Sequence, residues 1–206
     1  SVAMVSDAGY PLLSDPGQMV VNLVIEAGYN VVPISGSNAA LNALVASGLS
    51  AQPFLFYGFL GSSEKERVAT LQELKEYPQT LIFYEAPHRL EKTLKVLLDA
   101  VGNRRLTICK ELTKRHEKKW LTTLEEAIAW YGENDARGEY VLVLEGIDPK
   151  VLEEERQASW ETMSIEDHVA LYESKGQTKK EAMKSVASDR GMTKREVYQY
   201  LIQKNA

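Results

Sequence analysis

The chain has 206 residues, of which 44% are hydrophobic and 26% charged, and its formal net charge is −5 at pH 7. These values are ordinary for a globular protein and exclude a disordered polar chain, a collagen-like fibre and a disulfide-stapled miniprotein. No apolar run in the sequence approaches the roughly 20 residues that a membrane-spanning helix needs. The single cysteine, Cys109, cannot form an internal disulfide, so we expect a reducing, cytoplasmic location.

Short β-rich runs alternate with amphipathic segments through the first three quarters of the chain. Strands are predicted at residues 2–5, 30–34, 54–57, 80–84, 106–109 and 140–144. Their continuous apolar character is typical of strands that are buried on both faces. Between them, the leucine periodicity after Leu90 and the capping boxes that begin at Ser63 and Thr123 predict helices. This alternation indicates an α/β fold with a parallel or mixed sheet.

Composition shifts divide the chain into four predicted segments. A polar break before Pro53 separates the remainder of a first α/β domain, residues 1–52, from a second α/β domain, residues 53–148. An acidic stretch, residues 149–163, is predicted to be a linker to an all-α tail, residues 164–206. Two strands and two helices are too few for a separate core, so we expect the first domain to be truncated.

The tail resembles a helix-turn-helix. Helix-start signals occur at Ser164, Thr178 and Thr193. Ala187, Gly191 and Val197 have the spacing of a small contact residue, a left-handed turn and an apolar residue that locks the second helix. A plain helical hairpin that caps or dimerises the protein fits the same pattern.

Basic residues concentrate in two stretches, although the chain is acidic overall. Residues 101–120 carry seven Lys or Arg against two acids, and residues 174–206 carry eight against three. Such stretches can form a footprint for an anionic partner, or they can be solvated faces without a partner.

Four loops that follow predicted strands carry most of the polar and conformationally special residues. They span residues 6–17, 34–40, 83–89 and 109–117. Ligands of α/β proteins bind at the carboxyl edge of the sheet, so we expect these loops to form the site. In the first two loops, Asp15, Ser37 and Asn38 can equally be helix caps. The glycine patterns of dinucleotide-binding and P-loop proteins do not occur in the sequence.

The third loop combines a carboxylate, an imidazole and a guanidinium in Glu85, His88 and Arg89, directly after a strand. This grouping favours acid–base or charge-stabilising chemistry over a capped helix with solvated side chains. The three histidines are dispersed and not paired with a cysteine, so no metal site is predicted. Cys109 stands in an apolar strand without a partner base, which argues against nucleophilic catalysis.

Four motifs together resemble the tetrapyrrole-methylase superfamily. They are Ser6-Asp7-Ala8-Gly9-Tyr10-Pro11-Leu12-Leu13-Ser14-Asp15-Pro16-Gly17, Tyr84-Glu85-Ala86-Pro87-His88-Arg89, Lys110-Glu111-Leu112-Thr113-Lys114 and Gly138-Glu139-Tyr140-Val141. Within the superfamily, the chain is most similar to the subgroup that methylates a cytidine ribose 2′-oxygen in the decoding region of 16S ribosomal RNA. It departs from the usual pattern at Tyr10 and at residues 35–38, and the family's N-terminal strand and substrate loop have no counterpart in it.

The resemblance implies an S-adenosylmethionine-dependent methyltransferase with two α/β domains, a cofactor folded in the cleft between them, and a homodimeric assembly. It also implies cofactor contacts, many of them through backbone atoms, at the strand ends. These contacts are Asp7, Ala8, Gly9, Tyr10, Ser37, Asn38, Ala39, Tyr84, Glu85, Glu111, Leu112 and Glu139.

On this resemblance, we predict that Glu85 or His88 accepts the proton of the ribose hydroxyl, and that Arg89 or Lys110 neutralises negative charge on the reacting oxygen or a phosphate. Binding of the 16S rRNA partner then falls to the two basic stretches. The predicted RNA contacts are Lys110, Lys114, Arg115, Lys179, Lys180, Lys184, Lys194 and Arg195.

Other functions stay open at this point. A methyltransferase of the same superfamily can act on a corrin or porphyrin precursor instead of RNA. A nucleic-acid-binding protein can be built on a methylase fold whose cofactor site is lost, with Tyr10 and Asn38 as the marks of that loss. A dimerisation module with a helical cap leaves the four loops unexplained.

Overall fold

The computed structural model describes residues 2–6 and 9–203, and it divides into two compact units at Ile147 and Asp148. The helices are α1 Gln18–Glu26, α2 Ala39–Ala46, α3 Glu64–Leu74, α4 Leu90–Val101, α5 Leu124–Glu133, α6 Pro149–Thr162, α7 Ile165–Ser174, α8 Lys179–Asp189 and α9 Lys194–Gln203. The strands are β1 Phe54–Phe59, β2 Thr80–Glu85, β3 Arg105–Lys110, β4 Lys118–Thr123 and β5 Tyr140–Leu144. In the described part of the chain, no helix combines the length and the apolar character needed to cross a membrane.

The five strands form one mixed sheet in the order β1-β2-β5-β3-β4. Strands β1 and β2 are parallel, whereas β5 runs antiparallel to both β2 and β3, and β4 runs antiparallel to β3. The predicted α/β fold with a mixed sheet is confirmed. Because β1, β2 and β3 all point the same way, the loops that follow them leave the sheet at the same edge.

Two predicted strands, residues 2–5 and 30–34, are wrong. Both segments lie outside regular structure, and side chains such as Val32 and Ile34 are 73% and 81% exposed. A β-rich composition produces a strand where a neighbouring strand supplies hydrogen bonds and a packing face. In the described chain, the strands of the sheet begin at Phe54.

Strand β4 is not evident from the sequence pattern. It pairs with β3 along its whole length, from Thr123 opposite Arg105 to Lys118 opposite Lys110. Its first two residues are lysines and continue the basic loop before it. Lysine is common on edge strands because its charge discourages pairing with another chain, so these residues belong to the sheet as well as to the basic stretch.

The two faces of the sheet have different partners. Helices α3, α4 and α5 cover one face, where a large cluster of leucines surrounds Phe83. On the other face, Ala40, Ala43 and Leu44 of α2 pack against Ile82 and its neighbours. Helix α2 precedes Pro53, so residues on both sides of that position share one core and one compact unit. A domain boundary at residue 53 stays a prediction.

The predicted linker, residues 149–163, is helical instead of irregular. Helix α6 begins at Pro149, and the carboxylate of Asp148 accepts a hydrogen bond from the N–H of Lys150 at 2.8 Å. A proline in the first turn has no N–H to lose, and its fixed φ suits the helix. Pro149 therefore marks the start of a helix.

The three predicted helix starts of the tail are confirmed. The side chains that accept a hydrogen bond from the N–H three residues later are Ser164, Thr178 and Thr193. Ala187 and Val197 are buried in the core of α7, α8 and α9, and Gly191 has φ +62°. These are the features that the helix-turn-helix spacing predicts, because the left-handed turn at Gly191 allows α8 and α9 to pack closely.

A buried histidine lies in the second unit. His168 is 0% exposed, and its ring stacks between those of Trp160 and Tyr172, with centroid distances of 5.2 and 5.4 Å. Its Nδ1 accepts a hydrogen bond from Arg190 at 3.2 Å, and its Nε2 lies 3.2 Å from a carboxylate oxygen of Asp189. Burial lowers the pKa of His168 and the charge of Arg190 adds to this effect, whereas Asp189 opposes it.

We expect acidification below about pH 6.5 to destabilise the second unit. The folded pKa of His168 lies below its unfolded value, so its contribution to the free energy of unfolding is complete above the unfolded pKa. That contribution is lost as the pH falls through the folded pKa. Thermal unfolding followed by circular dichroism at several pH values should therefore show a steeper acid loss for wild type than for His168→Gln.

The exposed His88 supplies the matched control for this measurement. His88→Gln makes the same substitution at an exposed position, so it shows what the change of residue type alone does to unfolding. An equal acid loss in wild type and His168→Gln would contradict the prediction.

Candidate active site

The ends of β1, β2 and β3 and the start of β5 meet at one edge of the sheet, which we call the loop-bearing edge. Glu85 at the end of β2 pairs with Tyr140, which opens β5. Tyr140 pairs in turn with Lys110 at the end of β3, and Phe59 at the end of β1 pairs with Tyr84. The third and fourth loops of the sequence therefore leave the sheet side by side, as expected for ligand-binding loops of α/β folds.

The first two loops contact each other. The hydroxyl of Tyr10 accepts a hydrogen bond from the N–H of Gly36 at 3.0 Å. Gly9 has φ +79°, and a Cβ placed on it would lie 3.9 Å from the carbonyl oxygen of Ser37. Tyr10, a position at which the sequence departs from the family pattern, thus links the first loop to the second through this hydrogen bond.

Tyr84 connects the second loop to the loop-bearing edge. Its ring packs against the hydrophobic cluster that contains Ala40 in the first turn of α2. Its ring packs edge-on against Phe56 and Phe59, with centroid distances of 5.0 and 5.6 Å. Burial raises the pKa of Tyr84, and the carboxylate of Asp15 in the first loop acts in the same direction. Three of the predicted loops therefore converge on Tyr84.

Two of the alternative capping roles can now be decided. Asn38 is a helix cap, because its Oδ1 accepts a hydrogen bond from the N–H of Leu41 at 3.0 Å. Asp15 is not, because α1 begins after Gly17 and no side chain caps that helix. Ser37 and Ala39 lie beside Asn38, whereas the predicted contacts Asp7 and Ala8 lie outside the described residues.

Glu85 is a buried carboxylate at the end of β2, with 2% of its surface exposed. Its Oε1 accepts a hydrogen bond from the N–H of Ala86 at 2.8 Å and lies 3.2 Å from Nε of Arg89. Its Oε2 accepts a hydrogen bond from the hydroxyl of Thr93 at 2.5 Å. Thr93 was outside the predicted site, although its position eight residues after Glu85 places it on the inner face of α4. Both oxygens of Glu85 thus have internal donors.

Arg89 joins the end of β2 to the loop after β1. Its Nη2 donates to the carbonyl oxygens of Leu60 at 2.8 Å and Gly61 at 3.2 Å, while its Nε faces Glu85. His88 stands next to it in the short 3-10 turn Pro87–Arg89 and is exposed. Of the three predicted catalytic residues, His88 is therefore the one whose side chain faces solvent.

The fourth loop is held in an uncommon conformation by its contacts with Glu139. The φ of Glu111 is +51° and that of Thr113 is +64°, which is strained for residues other than glycine. Glu111 and Glu139 exchange two hydrogen bonds, of 2.9 Å between main chains and 2.8 Å to the Glu111 carboxylate. Lys114 lies 3.3 Å from the Glu111 carboxylate and 2.8 Å from that of Glu139. The Glu139 N–H and then Lys114 lower the pKa of Glu111.

Neighbouring residues of the fourth loop are buried. The side chain of Leu112 packs in the core under α2, so any contact it makes with a ligand is through its backbone. Burial raises the pKa of Cys109 to about 11, so this thiol is a poor nucleophile near neutral pH. Among the described residues, no group of three His, Cys, Asp or Glu side chains is arranged to hold a metal ion.

Residues 1–128 match the model of a protein family described as Tetrapyrrole (Corrin/Porphyrin) Methylases. The chain belongs to the tetrapyrrole methylase family. This confirms the resemblance indicated by the four motifs, and the loop-bearing edge carries the last three of them.

Curated relatives are similar over almost the entire chain. The Ribosomal RNA small subunit methyltransferase I of Bacillus subtilis is 48% identical over 198 residues, which are 96% of this chain and 68% of that protein. The protein of the same name from Synechocystis sp. is 40% identical over 207 residues, which are 100% of this chain and 72% of that protein. The crystal structure of the methyltransferase CobJ has a TM-score of 0.47 and 18% identity, covering 62% of this chain and 58% of that one.

The predicted RNA contacts of this family member lie in both units. Lys110 and Lys114 are at the loop-bearing edge, and Arg115 is exposed in the same loop. Lys114 is engaged by two carboxylates, which leaves Arg115 as the more accessible cation of that pair. The predicted contacts of the tail are Lys179, Lys180, Lys184 and Arg195, which are exposed, and Lys194, which is half-buried.

We expect Gly138→Ala to disrupt the contacts between Glu111 and Glu139. Gly138 has φ +87°, and an added Cβ would lie 2.7 Å from a carboxylate oxygen of Glu111. The substitution should lower the free energy of unfolding by about 2 kcal/mol, from backbone strain together with the displaced carboxylate. Urea unfolding measures this change.

Gly28→Ala is the matched control, because Gly28 lies in the same compact unit, has φ +78° and has nothing within 4 Å of an added Cβ. Its cost is backbone strain alone, about 1 kcal/mol. If the two variants lost the same stability, the displacement of Glu111 would contribute nothing.

Proposed function

We propose that this chain methylates the ribose 2′-oxygen of a cytidine in the decoding region of 16S rRNA, with S-adenosylmethionine as methyl donor. The observation that carries the proposal is the 48% identity over 96% of the chain to a relative named Ribosomal RNA small subunit methyltransferase I. We further propose that it works in the cytoplasm as a homodimer whose partner is the small ribosomal subunit.

The chemistry of the loop-bearing edge fits S-adenosylmethionine. When bound, this group supplies an activated methyl on a positively charged sulfur, and it also carries an ammonium and a carboxylate. Glu111 and Glu139 provide negative charge at this edge, and the side chain of Glu139 is 78% exposed. The first two loops offer main-chain donors and acceptors around Gly9 and Ser37, where the chain is exposed. The proposed binding residues are Asp7, Ala8, Gly9, Tyr10, Ser37, Asn38, Ala39, Tyr84, Glu111, Leu112 and Glu139.

The residues of the chain would mainly orient the reactants and accept one proton. Transfer to a ribose requires the 2′-hydroxyl oxygen, the methyl carbon and the sulfur in line, and such alignment lowers the barrier by several kcal/mol. We propose that the imidazole of His88 accepts the hydroxyl proton, because it is exposed at the edge. Glu85 is the weaker candidate, since both of its oxygens already accept internal hydrogen bonds. Lys110 is proposed to neutralise the reacting oxygen or a phosphate.

We expect His88→Ala to lower the single-turnover rate of methyl transfer by about 100-fold or more, the usual size of a general-base contribution. Glu85→Gln, which keeps the shape of the side chain but cannot take up the proton, should lower it much less. The rates are measured with saturating methyl donor, so that binding of the donor does not limit them. Unchanged rates in both variants would remove both residues from the proton-transfer step.

The proposed function is tested by methyl transfer from labelled S-adenosylmethionine to small ribosomal subunits from cells that lack the corresponding gene. Mass mapping of the product RNA should find one new ribose methyl group in the decoding region. A porphyrinogen offered as the acceptor tests the small-molecule alternative, and it should stay unmodified. Titration calorimetry that detects no S-adenosylmethionine binding would instead support the non-catalytic binding protein.

A further inference from the structure

Aromatic and basic side chains meet beside the loop-bearing edge, on the face of the sheet that α3, α4 and α5 cover. Trp120 of β4 lies on this face, because it pairs with Ile108, which belongs to the core there. Lys118, two residues earlier on the same strand, shares the face. Lys110 lies opposite Lys118, and its Nζ stands 6.0 Å from the ring centroid of Tyr140. Lys110 thus lies between Tyr140 and Lys118 across the sheet, where β3 ends.

Trp130 of α5 extends this group towards solvent. Its ring packs edge-on against that of Trp120, with a centroid distance of 5.9 Å and an interplanar angle of 66°, and 54% of the residue is exposed. Trp120 also contacts Tyr131 at 6.4 Å, and Tyr131 packs on the buried Tyr140 at 5.9 Å. The exposed indole of Trp130 therefore packs on a series of aromatic rings that reaches the core. Because these rings are already held in place, binding of a planar group would cost little side-chain conformational entropy. The aromatic–lysine patch consists of Lys110, Lys118, Trp120 and Trp130.

We propose that the aromatic–lysine patch binds single-stranded RNA beside the reacting nucleotide, with one base stacked on Trp130. This inference rests on the proposed function and adds a surface to it. Unpaired bases stack on aromatic side chains, and lysines neutralise the accompanying phosphates. Lys110 ends β3 at the loop-bearing edge, which places the patch next to the proposed methyl-transfer site. Glu133, one turn after Trp130 on α5, favours an uncharged base over a phosphate at the indole.

The test measures binding of a fluorescein-labelled, single-stranded RNA with the decoding-region sequence to the full chain. Trp130→Ala should weaken binding about tenfold, which is typical for the loss of one stacked base, and Trp130→Phe should restore most of it. Tyr77→Ala is the matched control, because Tyr77 is 41% exposed but precedes the start of β2 at the opposite edge of the sheet. It should bind RNA like wild type.

The salt dependence of RNA affinity distinguishes a phosphate contact from base stacking. Lys118→Gln should reduce the slope of log affinity against log salt by about one, whereas Trp130→Ala should leave that slope unchanged. These two results together would support a base on Trp130 and a phosphate near Lys118.

Three outcomes would overturn the proposal, and they are distinguishable. If wild type binds and methylates RNA and Trp130→Ala binds equally well, the patch has no role while the proposed function stands. If wild type binds no RNA, the proposed function fails as well. If Trp130→Ala dissociates an oligomer in sedimentation experiments without changing the RNA affinity of the protomer, the patch is an interface between copies of the chain.

Discussion

Glu85→Ala should lower the free energy of unfolding of the first unit by about 3 kcal/mol, because it removes one partner of a buried ion pair. The guanidinium of Arg89, which is 23% exposed, would lose its carboxylate, and the hydroxyl of Thr93 would lose its acceptor. Arg89 also holds the carbonyls of Leu60 and Gly61, so the loop after β1 should loosen at the same time. Urea unfolding gives the free energy, and hydrogen exchange of residues 60–63 reports the loop.

A matched control lies on the same stretch of chain. Glu91 forms an exposed ion pair with Lys95 one helical turn away, with both side chains about half exposed. Glu91→Ala should therefore cost no more than about 0.5 kcal/mol. A comparable loss of stability in the two variants would show that burial of the Glu85 carboxylate is unimportant.

Gly146→Ala should be similarly destabilising, by about 2–4 kcal/mol, because the new methyl group would overlap main-chain atoms. An added Cβ would lie 2.2 Å from the carbonyl oxygen of Pro78 and 2.6 Å from that of Gln79. Backbone cannot move aside as a flexible side chain can, so the end of β5 and the start of β2 must separate. Urea unfolding measures the loss, and the amide exchange of β2 and β5 should rise with it.

Gly132→Ala is the opposite case and serves as control. Gly132 lies in α5, and nothing stands within 4 Å of an added Cβ. Alanine favours the helix over glycine, so this variant should gain about 0.5 kcal/mol. A stability loss at Gly132 similar to that at Gly146 would mean that steric overlap is not what distinguishes the two glycines.

Features that depend on a few neighbouring residues were predictable. The capping boxes at Ser63 and Thr123 mark helix starts, because the hydroxyl and the glutamate three residues later satisfy each other's main-chain donors locally. The same applies to the starts of α7, α8 and α9. Pro149 shows the limit of such signals, since a proline fits both a linker and the first turn of a helix.

The strands were less predictable, because a strand requires partners from elsewhere in the chain. Residues 30–34 have a suitable composition but are not part of a strand, whereas the lysine-rich start of β4 is paired with β3. Amino-acid composition indicates whether a segment can form a strand beside another strand, but it does not indicate whether such a partner strand is present.

The candidate site also combines features that local sequence predicts with contacts that it does not predict. The third and fourth loops were predictable because polar and special residues concentrate after β2 and β3, and strands of one direction end at one edge. The contacts around Glu85 were not predictable from the sequence. Helix α4 brings the hydroxyl of Thr93 to the carboxylate, and a carbonyl group in the loop after β1 holds Arg89, which faces Glu85. A buried carboxylate whose oxygens already accept hydrogen bonds differs chemically from an exposed one, and this difference favours His88 over Glu85, the two alternatives that the sequence left open.

By itself, the sequence determined the family, the helix starts and the loops that hold the candidate site, because each depends on residues that are close together in the chain. The tertiary structure decided which β-rich segments pair, which side chains of the site are buried, and that the exposed Trp130 packs against Trp120, two residues after Lys118 on β4. These properties depend on contacts between residues far apart in the chain, and burial and hydrogen-bond partners are fixed when those contacts form.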